Sequence, residues 1–106
     1  MFLYQKFLIP TKFMFYHPDG GSFTFSSNLE KIGIENDVAI RSGTYIEVIS
    51  EPVTINRPKY GGDITVVQVQ ADIATDYHTI VRKFWLPTSL VVELEKNATT
   101  SSEFAN

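Results

Sequence analysis

The chain has 106 residues, the size of one domain, and its 43% apolar and 20% charged content is typical of a protein with a packed core. A formal net charge of −3 provides no overall field for a polyanion, and the absence of cysteine excludes disulfides, thiolate zinc sites and cysteine nucleophiles. No stretch reaches the roughly 20 apolar residues of a membrane span, and the N-terminus does not resemble a signal peptide, so we expect a soluble, cytoplasmic protein.

The first 25 residues are predicted to form a strand followed by an aromatic hairpin. Phe2–Ile9 is short and apolar and ends at Pro10, which suits a strand. In the next segment, KFMFYHPDGGSFTF, two alternating runs flank the turn sequence HPDGG. Pairing across this turn would place four phenylalanines on one sheet face: Phe13, Phe15, Phe23 and Phe25.

The middle of the chain alternates between strands and loops. Asn28 could cap a short helical turn at Leu29–Lys31, although Gly33 and its isoleucine neighbours indicate a short strand equally well. Alternating, β-branched sequences then predict three strands: Thr44–Ile49, Ile64–Ala71 and Thr79–Leu86. A long loop with two prolines, 50–62, and a turn at 72–76 connect them.

The last part of the chain is predicted to end the fold with a strand and a disordered tail. Pro87–Ser89 breaks the preceding strand, and Leu90–Glu95 is predicted as the closing one. Residues 96–106 are small, polar and unpatterned, so we expect disorder there and a single domain over residues 1–95. With five or six strands and no long helical period, the predicted class is all-β.

Residues 38–95 resemble an SH3-like barrel in their order of lengths and breaks. The parts are a glycine-led strand SGTYIEV (42–48), a long loop, a strand (64–71), a turn, a strand (79–86), a break (87–89) and a closing strand (90–95). The resemblance implies a small SH3-like barrel with an added N-terminal aromatic β-hairpin, and ligand contacts in the loops 50–62 and 72–77. The acidic loop and paired aromatics that grip proline-rich peptides are absent, so that activity is not implied.

Five residues are candidates for binding a protein partner: Arg57, Lys59, Tyr60, Tyr77 and Trp85. Arginine and tyrosine are frequent at interaction hot spots, and prolines stiffen the loop around residues 57–60. The alternative is an ordinary solvated loop. For the single tryptophan, burial in the core is the alternative to an outward recognition platform.

Nucleic-acid binding is a second hypothesis, because the first 18 residues contain no acid and mix cations with aromatics. Its candidate contacts are Lys6, Lys12, Tyr16 and His17. Alternating aromatics can stack on bases, but the same phenylalanine face can equally form the core or an oligomer surface. We therefore also expect self-association through the N-terminal aromatic segment.

A third hypothesis rests on Asp72, Asp76 and His78, which could form an acid–base pair or a metal site. Aspartates are also ordinary turn residues, and no nucleotide or nucleophile motif accompanies them. The favoured prediction is a non-catalytic protein-binding module or small subunit of an assembly, with no cofactor. A nucleic-acid-binding small β-barrel and a small hydrolase or metal site remain as alternatives.

Overall fold

The computed structural model describes the backbone of residues 3–105 and the side chains of residues 3–97, so Phe2, in the predicted first strand, lies outside it. Over this part the protein is mostly β, which the sequence predicts. The exception is a helix after residue 87. The elements are β1 (Lys6–Leu8), β2 (Ser22–Phe25), β3 (Val38–Arg41), β4 (Tyr45–Val48), β5 (Val53–Arg57), β6 (Gly62–Ala74), β7 (Thr79–Pro87) and α1 (Thr88–Ala105).

β6 is the centre of the larger sheet. Its 13 residues pair with β7 along one edge and with β4 and β5 along the other, and β1 pairs with the far side of β4. All of these pairs are antiparallel. Val67, Val69 and Ala71 are buried while Gln68 and Gln70 are half-buried, which confirms the predicted alternation of this strand.

The predicted N-terminal turn exists, but it joins other residues than expected. Gly20 and Gly21 have φ values of 61° and 85°, which a two-residue type I′ turn requires. Asp19 and Ser22 close the turn with backbone hydrogen bonds of 2.7 and 3.2 Å. β2 then pairs with β3 and not with residues 13–16. The predicted pairing of the two phenylalanine-containing runs is therefore wrong.

The aromatic segment before this turn bends into the core. The N–H of Phe13 donates to the carbonyl of Tyr16 at 3.4 Å, which closes a bend that buries Phe13 and leaves Phe15 88% exposed. Tyr16 takes the place predicted for Phe15, because its ring stacks on Phe25 at a centroid distance of 5.4 Å. The alternating sequence could not reveal this bend, because the core accepts Tyr16 in place of Phe15.

The predictions for two connecting segments have different outcomes. The side chain of Asn28 accepts a hydrogen bond from the N–H of Glu30 at 2.9 Å and caps a 3₁₀ turn at Leu29–Lys31, so the helical alternative is confirmed. The loop predicted at 50–62 instead contains β5 and a second 3₁₀ turn. Its prolines lie just outside β5, where they interrupt no strand pairing.

The closing strand predicted at Leu90–Glu95 is wrong, because this segment begins a helix. The helical backbone continues to Ala105, through most of the segment predicted as a disordered tail. The buried residues have the i, i+1, i+4 spacing of a helix stripe: Leu90, Val91 and Leu94. Among the described residues, no helix has the length and hydropathy needed to cross a membrane.

The two sheets do not close into a barrel over the described residues. A single bridge joins them, in which the N–H of Trp85 donates to the carbonyl of Ser26 at 2.8 Å. The core lies between the sheets and α1, and the stacking of Phe25 on Phe84 at 5.2 Å joins its two sides. Because α1 replaces the predicted last strand, no strand is present there to close a barrel.

Candidate functional site

Arg57 ties the predicted binding loop to the rest of the protein. Its guanidinium donates four hydrogen bonds to main-chain carbonyls: to Leu29 at 3.1 Å, Glu30 at 2.9 Å, Ile32 at 2.9 Å and Asn56 at 2.8 Å. Three of these carbonyls lie in the first 3₁₀ turn or directly after it, where a cation satisfies acceptors that lack a helical partner. Tyr60 lies over Gly33, where an added Cβ would come within 2.9 Å of the ring. The guanidinium of Arg57 is therefore already engaged in hydrogen bonds within the protein.

The five predicted partner-binding residues do not form one surface. Arg57 pairs with Gly62 at the first residue of β6, whereas Tyr77 follows the last residue of that strand. The 12 steps along β6 correspond to about 40 Å of extended chain. Trp85 lies between these ends, half-buried and opposite Gln68. The structure thus separates the loop residues Arg57, Lys59 and Tyr60 from both Trp85 and Tyr77.

Of the four candidate nucleic-acid contacts, all within the described residues, only Lys12 and His17 line a common cavity. The cavity has a volume of about 420 Å³, but the carboxylate of Glu93 shares it. Lys6 lies exposed on β1. Tyr16 is half-buried against two phenylalanines, its hydroxyl donates to a main-chain carbonyl of β2, and burial raises its pKa above the ordinary value. Tyr16 therefore packs against the core through Phe23 and Phe25.

Asp72, Asp76 and His78 do not gather into a metal site. Asp72 lies on β6 opposite Val81, and the main chain of His78 closes the following turn through hydrogen bonds with Thr75. Among the described residues, no three histidine, aspartate or glutamate side chains have a metal-holding arrangement. The metal alternative is not supported, and the hydrolase alternative remains a prediction.

One face of the larger sheet carries a row of polar side chains across four strands. The strand register aligns β1, β4, β6 and β7 through Lys6, Glu47, Gln70 and Lys83. The side-chain amide of Gln70 donates to Glu47 at 3.0 Å. Because the neighbouring positions in each strand point to the opposite face, this row lies on the side away from the core.

A second row, beside the first, is mainly apolar. Leu8 lies opposite Tyr45, and Asp72 lies opposite Val81. Its three apolar side chains are exposed: Leu8 by 48%, Tyr45 by 67% and Val81 by 54%. We call the two rows together the open face: Lys6, Leu8, Tyr45, Glu47, Gln70, Asp72, Val81 and Lys83.

The other half of the same sheet face is covered by the segment 26–32. This segment is bonded to β7 through Ser26 and to β5 through Arg57, so it crosses β6. Val66 has the same orientation as Gln70 in β6, yet it is fully buried, and Ile32 is buried with 6% exposed. The burial of Val66 marks where the open face ends.

A groove of about 850 Å³ borders the open face where the two sheets meet. Tyr45 and Asp72 line it from the open face, and Ser22, Ala39 and Arg41 line it from the smaller sheet. The groove mixes apolar surface with charges of both signs. It therefore offers space beside the open face for a segment of a partner.

No protein-family model, curated protein or solved structure matches this chain. The fold and surface define a mostly β protein with one partly uncovered sheet face. The sequence reveals which residues alternate in each strand, such as Tyr45 with Glu47, but not which strands are neighbours. Strand pairing is what brings the open face together.

Proposed function

We propose that the protein is a non-catalytic protein-binding module, or a subunit of an assembly, that contacts its partner through the open face. The observation that carries this proposal is the exposure of Leu8 and Tyr45, which lie opposite each other, and of Val81 in the same sheet. Adjacent exposed apolar side chains, next to a polar row, are typical of protein-interaction sites. Tyr45 can supply both a large contact area and a hydroxyl for hydrogen bonding.

The charges of the open face favour a protein over a nucleic acid. Lys6 and Lys83 are balanced by Glu47 and Asp72, so the face carries no net charge. Nucleic-acid binding depends on releasing counterions from phosphates and needs a concentrated basic surface. The nucleic-acid alternative thus has weaker support, and steep salt dependence of binding to oligonucleotides would restore it.

The SH3-like resemblance also remains a proposal. Its support is that β4, β5 and β7, which precede and follow β6 in the chain, all pair antiparallel with β6. The helix at the end and the gap between the sheets distinguish this chain from a closed barrel. The proposed binding surface does not depend on the resemblance.

A pair of matched variants tests the proposed function. Tyr45→Ser alters the open face, and Ile34→Ser removes an apolar side chain of similar exposure, 71% against 67%, outside it. Each variant and the wild type is used to capture proteins from a lysate, and candidates are then remeasured as purified proteins. We expect a partner whose affinity falls about 30-fold with Tyr45→Ser, as for a hot-spot tyrosine, and stays unchanged with Ile34→Ser. If every purified partner binds both variants equally well, the open face is not the binding surface.

A further inference from the structure

The outer edge of β7 carries main-chain groups that point away from the sheet. The N–H of Trp85 points outward to Ser26, whereas the carbonyl of His78 points toward β6 and accepts from Thr75. Main-chain groups alternate in direction along a strand, so Thr79, Val81 and Lys83 also present their N–H and C=O outward. Among the described residues, no strand pairs with this side of residues 79–83.

The same segment extends beyond the core. Residues 79–83 are all exposed, and burial begins at Phe84. Proteins usually protect such an edge with proline, a bulge or charged side chains. The segment TIVRK contains two cations but also three consecutive β-branched residues and no proline or glycine, which favours pairing with another strand.

We propose that this edge pairs antiparallel with the same edge of a second copy of the chain, about a two-fold axis through Val81. This register places Val81 opposite its counterpart, Ile80 opposite Arg82, and Thr79 opposite Lys83. All three outward-facing residues then form hydrogen-bonded pairs, with about six backbone hydrogen bonds in total. No like charges lie opposite each other, so the edge is complementary to itself.

Neighbouring registers satisfy the edge less well. An axis through Arg82 or Lys83 would place two cations directly opposite each other. An axis through Ile80 would pair Lys83 with Tyr77, which lies in the turn and not in a strand. An axis between two residues would place a residue whose main-chain groups point outward opposite one whose groups point toward β6, so these groups could not bond. Pairing at Val81 also joins the open faces of the two copies into one longer sheet face.

Charge substitutions at Val81 give a direct test by sedimentation velocity over a range of protein concentrations. We expect the wild type to form dimers, and Val81→Lys and Val81→Glu each to remain monomeric, because each places like charges on the axis. An equimolar mixture of the two variants should recover the dimer, since opposite charges then face each other. Val92→Lys and Val92→Glu, on the exposed side of α1, are the matched controls and should dimerise like the wild type.

Amide hydrogen exchange provides a second measurement that does not need a substitution. In the dimer the amide of Val81 should exchange slowly, and on dilution it should become fast, while the amides of Ile80 and Arg82 stay protected by β6. A wild type that is monomeric at all concentrations, or a mixture that does not recover dimers, would overturn the proposal. So would a dimer that survives Val81→Lys but is lost in Phe15→Ser, because it would assign self-association to the N-terminal aromatic segment.

This proposal and the proposed function fail separately. Tyr45→Ser alters the open face without changing the edge, so it should lower partner affinity and leave the dimer intact. Val81→Lys should dissociate the dimer whether or not another protein binds at Tyr45.

Discussion

Arg57 joins two parts of the chain that are distant in sequence: β5 and the segment 26–32, which contains the first 3₁₀ turn. Arg57→Ala leaves the carbonyls of Leu29, Glu30 and Ile32 without this donor, so we expect the free energy of unfolding to fall by about 2 kcal/mol. Arg57→Lys should restore little, because an ammonium group cannot reproduce the guanidinium fork. Urea denaturation measures both effects.

Lys59→Ala is the control, because it removes a neighbouring exposed cation and should change the free energy of unfolding by less than about 0.5 kcal/mol. An Arg57→Ala variant as stable as this control would show that the four hydrogen bonds contribute nothing measurable.

Tyr16 should make stability depend on pH in the alkaline range. Burial raises the pKa of Tyr16 above its ordinary value of 10.0, so above pH 10 the unfolded chain loses this proton before the folded protein does. The free energy of unfolding therefore falls as the pH rises through this range. In Tyr16→Phe we expect a smaller fall, measured by urea denaturation at several pH values. Tyr45→Phe removes an exposed hydroxyl and should keep the wild-type dependence; equal slopes in all three proteins would contradict the assignment.

Two adjacent valines distinguish the helix from the strand predicted for the same segment. In α1, Val91 is fully buried and Val92 is 41% exposed, whereas a strand would place Val92 on the same face as Leu90 and Leu94. We expect Val91→Ala to lower the free energy of unfolding by about 2 kcal/mol and Val92→Ala to lower it by much less. The reverse order, measured by thermal or urea denaturation, would favour the strand.

The elements differ in how well the sequence predicts them, for physical reasons. β6 and β7 are long and alternate, so their buried faces can be predicted from periodicity. α1 was missed because Val91 and Val92 have strand propensity, although Leu90, Val91 and Leu94 already have helical spacing. β5 was missed because the prolines around it indicate a loop, while its partner β6 provides the pairing that stabilises it.

At the scale of the whole molecule, the sequence predicts the class of fold but not its closure or its surface. The exposure of Tyr45 depends on which strands are neighbours and on where the segment 26–32 lies. That segment is held by Arg57 and Ser26, and no local pattern predicts contacts between residues so far apart in sequence. The predicted partner residues share a residue type or a loop position, which does not make them neighbours in space, and they lie in β5, in β7 and in the segments before and after the 13-residue β6.

The central claim of the proposed function is that the open face contacts a protein partner. Hydroxyl-radical footprinting of the protein, free and bound to a partner that depends on Tyr45, tests it most directly. We predict that oxidation of Leu8 and Tyr45 slows several-fold on binding, while oxidation of Met14 and Phe15 is unchanged. Unchanged oxidation of Leu8 and Tyr45, with protection of Met14 and Phe15 instead, would contradict the account and assign binding to the N-terminal aromatic segment.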